Sequence, residues 1–382
     1  LKNGRPNSYD NGGSVYMSGY WGNPGDKGHG PLFQNVVFES NQTKHTKDDA
    51  YKSGGAVYSY RSTPFFRDVT FKYNFAARGG GAVWIENADT NKTVTFERTK
   101  FIGNYLDPAL EDMSLYGGAV SFNNMGKVIF ESSTFDSNYI KINGNCCTNE
   151  GGAIYATDFY DSLIVKNTKF RHNKVYKPDG NNGGEARGGA ILFRNGYGHA
   201  VITNSVFLGN SAEAGYQNWD GGSSDQNGYG GAIQIQLSQY WTGSAYVYPY
   251  QSILINNTFV NNMATGSGNN TGNGGAISYE YSQSTALVNN IFWGNMVNNR
   301  GDSTAFEIDG LQSSQSEVIV GHNNFEYSAS AANTLGSDNM SRDPKFMLDG
   351  SADEYQLSDA SRLIGAGALV YNGYKAPAYD IL

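Results

Sequence analysis

Apolar residues in this chain come in short runs with period two, separated by polar, glycine-rich breaks. That is the period of β-strands. No window of about 11 residues or more carries an i, i+3, i+4 apolar stripe with a capping signal, so helices are not expected. The stretch from Gly151 to Asn173 shows the unit: Gly-Gly-Ala-Ile-Tyr-Ala, then Leu163-Ile164-Val165, then Asn167-Thr-Lys-Phe-Arg-His-Asn173. It predicts three short strands per repeat.

Two tetrads alternate along the chain. Gly-Gly-Ala followed by Val or Ile begins at Gly54, Gly80, Gly117, Gly151, Gly188, Gly230 and Gly274, with a Gly12-Gly13-Ser14 variant ahead of them. Phe-x-x-Asn begins at Phe38, Phe71, Phe101, Phe135, Phe170, Phe207, Phe259 and Phe292. Strict alternation at spacings of 26 to 44 residues describes one supersecondary unit stacked on itself. The fold class is therefore all-β: a right-handed, single-stranded parallel β-helix, or solenoid. In such a coil the Ala points into a narrow lumen, and Gly-Gly permits positive φ at a corner that a Cβ would block. The Phe residues stack in an internal column. The closing Asn is expected to take the αL conformation and to bond its neighbour one coil along.

The paired tetrads resemble the polymorphic outer-membrane protein repeats of chlamydiae and related β-helix surface proteins of other bacteria, over about residues 12 to 295. Residues 1–334 read as the repeat body and 335–382 as a C-terminal cap leading into a linker. That tail carries Asp343-Pro344-Lys345-Phe346, Tyr355-Gln356-Leu357 and Ser361-Arg-Leu-Ile-Gly365. It is similar to the closing segment of bacterial β-helix surface proteins, where such a segment caps the solenoid and precedes an anchor or sorting domain. The resemblance implies the cell surface or exterior of a Gram-negative bacterium, and the opening Leu1-Lys-Asn-Gly4, without Met or signal peptide, reads as a fragment or a mature chain of a larger protein.

Composition narrows the partners. The 382 residues carry 49 Gly, 9 Pro and a net charge of −8, which fits a corner-rich β structure and disfavours nucleic acid or an anionic membrane as partner. No apolar run reaches the roughly 18 residues of a membrane-spanning helix. The two cysteines, Cys146 and Cys147, are adjacent; neighbouring Cα atoms about 3.8 Å apart fall short of the usual disulfide span, so reduced thiols are expected, with a strained vicinal disulfide as the alternative. No metal ligands and no cofactor motif are evident.

Function in a solenoid sits in loops that leave the repeat. The loop from Leu237 to Gln251 holds Tyr240, Trp241, Tyr246, Tyr248 and Tyr250; Tyr20-Trp21 and Tyr216, Trp219 and Tyr229 lie in other loops. Aromatic rings stack on the apolar faces of sugars while amides and hydroxyls bond their hydroxyl groups. Trp21, Trp219, Tyr240, Trp241, Tyr246 and Tyr248 are therefore the expected ligand contacts of a non-catalytic adhesin for a glycan or host-surface ligand. Packing of these rings onto the solenoid wall is the plainer alternative for each ring taken singly. Two other function classes remain: a pectate lyase-like polysaccharide lyase or hydrolase, and a structural spacer. For the enzyme, Gly28-His29-Gly30 lacks its partner motifs, Asp48-Asp49 reads as a solvated turn, and Glu185 and Arg187 with Asp220 and Asp225 are the best set. The five His are scattered, and no catalytic residue is assigned.

Overall fold

A computed structural model describes residues 1–5, 11–19, 30–43, 52–106, 113–142, 147–177, 184–215, 217–219, 222–224, 226–238, 240–241, 243, 246–247, 250–267, 270–280, 284–299, 302–305, 307–311, 318–326, 338–347 and 355–377. They form a parallel β-helix with no helical segment among them. The longest ladder runs through Val57–Tyr60, Val83–Glu86, Val120–Glu131, Ile154–Lys166, Ile191–Gly196, Ile233–Leu237 and Ile277–Glu280, every neighbouring pair parallel. A second sheet stacks the three-residue Phe strands, such as Lys100–Ile102 on Thr134–Asp136. A third follows the Asn, as Tyr139–Lys141 on Lys174–Tyr176.

Some coils depart from the three-strand expectation, in two ways. Two-residue strands immediately precede several of the Gly-Gly corners and make a fourth ladder: Leu115–Tyr116, Asn149–Glu150, Ala186–Arg187 and Gly228–Tyr229. And the first two strands of a coil fuse into one in Val120–Glu131 and Ile154–Lys166.

Close packing between coils explains the motif residues. The first Gly of each Gly-Gly-Ala has φ between +58° and +74°. The second has no room for a side chain: a Cβ on Gly118 would lie 2.1 Å from the carbonyl oxygen of Gly152 in the next coil. The Ala residues are fully buried and pass backbone hydrogen bonds from coil to coil, as Ala119 N to Ala153 O at 3.0 Å. The Phe rings stack face to face, with centroids 4.5 Å apart for Phe101–Phe135 and 4.7 Å for Phe170–Phe207. Phe66, Phe96 and Phe130 form a parallel column beside them.

The Asn of each Phe-x-x-Asn builds an internal ladder, as expected, but not through αL geometry. Asn138 Nδ2 donates to Asn173 Oδ1 at 2.9 Å and to the Phe101 carbonyl at 3.0 Å. Its Oδ1 accepts from both the backbone N and Nδ2 of Asn104, each at 3.0 Å. The αL residue is the one before it: Tyr73, Ser137 and His172 have φ of +55°, +57° and +53°. The bend turns the following Asn inward, where both ends of its amide are used. From Phe101 onward, a second ladder lies two residues ahead of the Phe. Thr99, Ser133, Thr168 and Ser205 pass backbone-to-hydroxyl bonds along it, and Asn257, Asn290, Asn323 and Asn339 continue it with amides.

Where the repeat decays, Glu307 takes the place of the Ala: Ala276 N and Ile277 N donate to its carbonyl at 3.0 and 3.1 Å. Its side chain is buried at the end of the Asn ladder, with Oε2 accepting from Asn295 Nδ2 at 2.7 Å. Burial pushes this carboxyl up to about 8, while the Asn295 bond pulls the other way. The thiol expectation is overturned. Cys147 is in a disulfide, no described cysteine is free, and Cys146 is the only other cysteine of the chain. A φ of +84° at Cys147 bends the backbone at this point.

Candidate functional site

Four antiparallel pairs occur among the described residues: Met296–Asn299 with Asp302–Ala305, Val370–Tyr371 with Tyr374–Lys375, and two hairpins that both belong to the coil of Gly230-Gly231-Ala232. One pairs Gln217–Trp219 with Gly222–Ser224, placing Trp219 opposite Gly222. It lies just ahead of Gly228–Tyr229, the short strand before the glycine corner. The other pairs Tyr240–Trp241 with Tyr246–Val247, placing Trp241 directly opposite Tyr246. It follows Ile233–Leu237, the strand after the corner. One coil thus carries a ribbon at each outer end of its two corner strands. Of the expected ligand contacts, Tyr240, Trp241 and Tyr246 share one ribbon and Trp219 is on the other. Trp21 and Tyr248 lie outside the described residues.

In earlier coils the strands on either side of the Gly-Gly corner lie close together on its outer side. Side chains from the strand before the corner meet those from the strand after it. The Trp84 ring covers Gly79, where a Cβ would come within 2.2 Å of Cζ3, and the Tyr116 and Tyr155 rings lie 4.8 Å apart. Tyr58, Trp84, Tyr155 and Gln234 are consequently buried although they face away from the core.

Ion pairs bridge the same corner in the middle coils. In the register of the fourth ladder, Tyr116, Glu150, Arg187 and Tyr229 follow one another coil by coil. Glu150 Oε1 accepts from Arg194 Nη1 at 2.5 Å across the corner. Arg187 donates to Glu185 Oε2 from Nε and Nη2 at 3.0 and 2.7 Å, reaches Glu280 at 3.6 Å, and lies over the Tyr229 ring at 5.2 Å. Burial pushes the Glu150 carboxyl above the usual range, against the pull of Arg194 and Arg187. Burial works against the charge on Arg187, but Glu185, Glu150 and Glu280 hold the guanidinium firmly protonated. Glu150 Oε2, Arg194 Nε and the Oε1 atoms of Gln234 and Gln236 are buried without a hydrogen-bond partner among the described residues.

The structure thus joins Glu185 and Arg187 into one cluster, whereas Asp220 and Asp225 lie outside the described residues. Sequence reasoning missed Glu150 and Arg194. The signal was there: Glu150 stands immediately ahead of Gly151, in the place Arg187 takes one repeat later, so opposite charges occupy successive rungs. Among the described residues no three His, Cys, Asp or Glu form a metal-binding group, and no helix is long and apolar enough to cross a membrane.

Residues 68–86, from Asp68 in one Phe-strand unit through the Gly80-Gly81-Ala82 corner, match the Chlamydia polymorphic membrane protein repeat. The chain is a parallel β-helix of polymorphic membrane protein-like repeats. Within the matched segment Phe71, Asn74, Gly80 and Ala82 are each in register with counterparts one coil on. The repeat points to a bacterial cell-surface or outer-membrane protein. No curated protein and no solved structure matches the chain.

Proposed function

We propose that this β-helix is an adhesive module of a bacterial surface protein, which holds a glycan on the aromatic ribbons of the Gly230 coil. The observation that carries the reading is the pair of antiparallel hairpins. This one coil breaks the parallel rule twice, ahead of its corner strands and after them, and each hairpin includes aromatic residues. Sugars offer ring faces to aromatic side chains and hydroxyls to amides and carboxylates. The acidic chain and its paired arginines suit a neutral glycan better than a polyanion. Nucleic acid is no partner in this reading, no cofactor takes part, and the module is attached to a surface anchor or secretion assembly.

The test is the affinity of the double variant Trp219→Ala, Trp241→Ala for glycans that retain the parent protein. Loss of about tenfold or more is expected from removal of two stacking rings. Unchanged retention would show that the ribbons are not the contact surface.

One observation favours a second reading, a polysaccharide-cleaving enzyme. Glu150 is a buried carboxyl whose pKa burial raises above the usual range, next to Arg194 and Arg187, and a carboxyl raised in this way can serve as a general acid. That reading requires soluble sugar products, and their appearance on Glu150→Gln-sensitive incubation would establish it.

A further inference from the structure

The tail packs on the outer side of the last coils, and two asparagines hold it there. Asn256, Asn289 and His322 occupy the same left-handed corner in three successive coils, with φ of +56°, +58° and +57°, and the strands ahead of them pair in register. Asn289 grips one tail residue by both of its backbone groups. Ala368 N donates to Asn289 Oδ1 at 2.9 Å, and Asn289 Nδ2 donates to Ala368 O at 2.8 Å. Asn324, two residues after His322, grips Arg342 in the same way: Arg342 N donates to Oδ1 at 2.8 Å, and Nδ2 donates to Arg342 O at 3.0 Å. Gly367 lets the tail come this close, since a Cβ there would lie 3.0 Å from Asn289 Cγ.

Both asparagines border a cleft of about 480 Å³ between the tail and the solenoid, a volume typical of ligand pockets. Asn256 and Ile291 line it from the solenoid, and Leu357, Leu363 and Ala366 line it from the tail. Ile364 and Leu369 at the cleft are 57% and 85% exposed, which leaves an apolar rim open to water. No Asp, Glu, Lys or Arg is among the described lining residues. Asn256 has the corner geometry of Asn289 but grips nothing. Its Oδ1 accepts from Asn289 Nδ2 at 3.0 Å, and among the described residues its Nδ2 donates to no group. One lone pair on Oδ1 and the hydrogens of Nδ2 are therefore left for a two-point grip, one coil (about 4.8 Å) from the grip on Ala368.

We infer that this cleft takes a short extended peptide segment of a partner protein, uncharged and aliphatic, one residue of which Asn256 grips as Asn289 grips Ala368. The site shares no residue with the ribbons and does not depend on the glycan reading. A peptide brings one N–H and one C=O per residue, which is what the open amide of Asn256 can take. The aliphatic lining suits aliphatic side chains, whereas a charged side chain would be desolvated there without a partner. A sugar fits less well, because it needs an open aromatic face. Tyr355 and His322 are the aromatic residues among the described lining, and each is already packed at a steep angle against a ring of the tail, Phe346 at 5.5 Å and Tyr371 at 5.0 Å.

The experiment titrates the purified chain into a fluorophore-labelled, C-terminally amidated peptide Gly-Ala-Gly-Ala-Leu-Val, the sequence of the tail around Ala368, and reads fluorescence anisotropy. Companion peptides carry Asp or Lys in place of Leu, and a further set is N-methylated at one residue at a time. The protein variants are Asn256→Gly, which removes the amide while suiting the φ of +56°, and Asn167→Gly, at the same corner outside the cleft with φ +52°. The expected result is saturable binding of the neutral peptide. It should weaken about tenfold in Asn256→Gly, with the charged peptides, and on N-methylation of one particular residue, and stay unchanged in Asn167→Gly. Absence of saturable binding, or equal binding by Asn256→Gly, would overturn the proposal. Equal binding of the charged peptides would overturn the ligand class. Binding of chitotriose that needs Asn256, with no binding of the peptide, would make the cleft a sugar site and overturn the occupant. Should Asn256→Gly lower the melting temperature, the N-methyl series on the parent protein decides: equal affinity across that series would refute the two-point grip.

Discussion

Replacing Asn138 with Ala tests the internal ladder at its centre. Asn138 is fully buried, and its amide makes four hydrogen bonds. Alanine leaves the Asn104 backbone N–H, the Asn104 Nδ2 and the Phe101 carbonyl each short of one partner in a space sealed from water. The Asn138 backbone N–H keeps its bond to Asn173 Oδ1 at 3.1 Å, so only the side-chain interactions are lost. At about 1–3 kcal/mol for each buried group left unsatisfied, the three together come to roughly 3–9 kcal/mol. That is a large part of the stability of a typical domain. Solenoid stability is a sum over repeats and their interfaces, so the damage should be local. The assay is urea unfolding combined with amide hydrogen exchange of the Asn104 and Asn173 coils. Faster exchange in these coils, with the Gly274 coil much less affected, is the expected pattern. A destabilisation below about 1 kcal/mol would refute the argument that each rung is sealed and fully used.

Other perturbations follow from the same packing. Gly118→Ala sets a Cβ 2.1 Å from the next coil's carbonyl, so a marked drop in melting temperature is expected, and an unchanged one would show that the coils can separate locally. Phe135→Ala opens a hole in the aromatic column and should cost about 3–5 kcal/mol in urea unfolding. Glu307 makes stability depend on pH. Its folded-state pKa of about 8 lies above the ordinary 4.5, so the folded chain keeps the proton longer than the unfolded one. Its contribution is complete below the ordinary value and is lost as pH rises to about 8, at up to about 1.4 kcal/mol per pH unit. Glu307→Gln keeps an acceptor for Asn295 and should flatten the melting temperature over that window; an unchanged pH profile would contradict the burial argument.

Much of this architecture was legible because each repeat element has a steric or hydrogen-bonding job that recurs. Gly117-Gly118 marks a corner because backbone meets backbone there, and Phe135 marks a column because identical rings stack. What the sequence obscured was finer. Asn138 looks like an αL residue by type, yet the bend falls on Ser137, because the amide is more useful inside than at the turn. The second ladder is hidden by its changing chemistry, hydroxyls from Thr99 to Ser205 and amides from Asn257 onward. The fused strand Ile154–Lys166 could not be foreseen from a pattern of short runs. The adjacent cysteines were misjudged because the relaxed span of a disulfide was applied to a site where the backbone bends at Cys147. At the candidate site, residue type alone drew attention to Trp241 and Tyr246, while their cross-strand pairing needed the hairpin.

The central claim is that this solenoid holds a glycan without cleaving it. Its most direct test incubates the purified chain with insoluble neutral polysaccharide, measures the fraction retained, and assays the supernatant for released oligosaccharides. Retention that saturates with added protein, with no sugar released, is the result this account expects. Released oligosaccharides would contradict it and turn attention to Glu150 and Arg194, and absence of retention would contradict it as well.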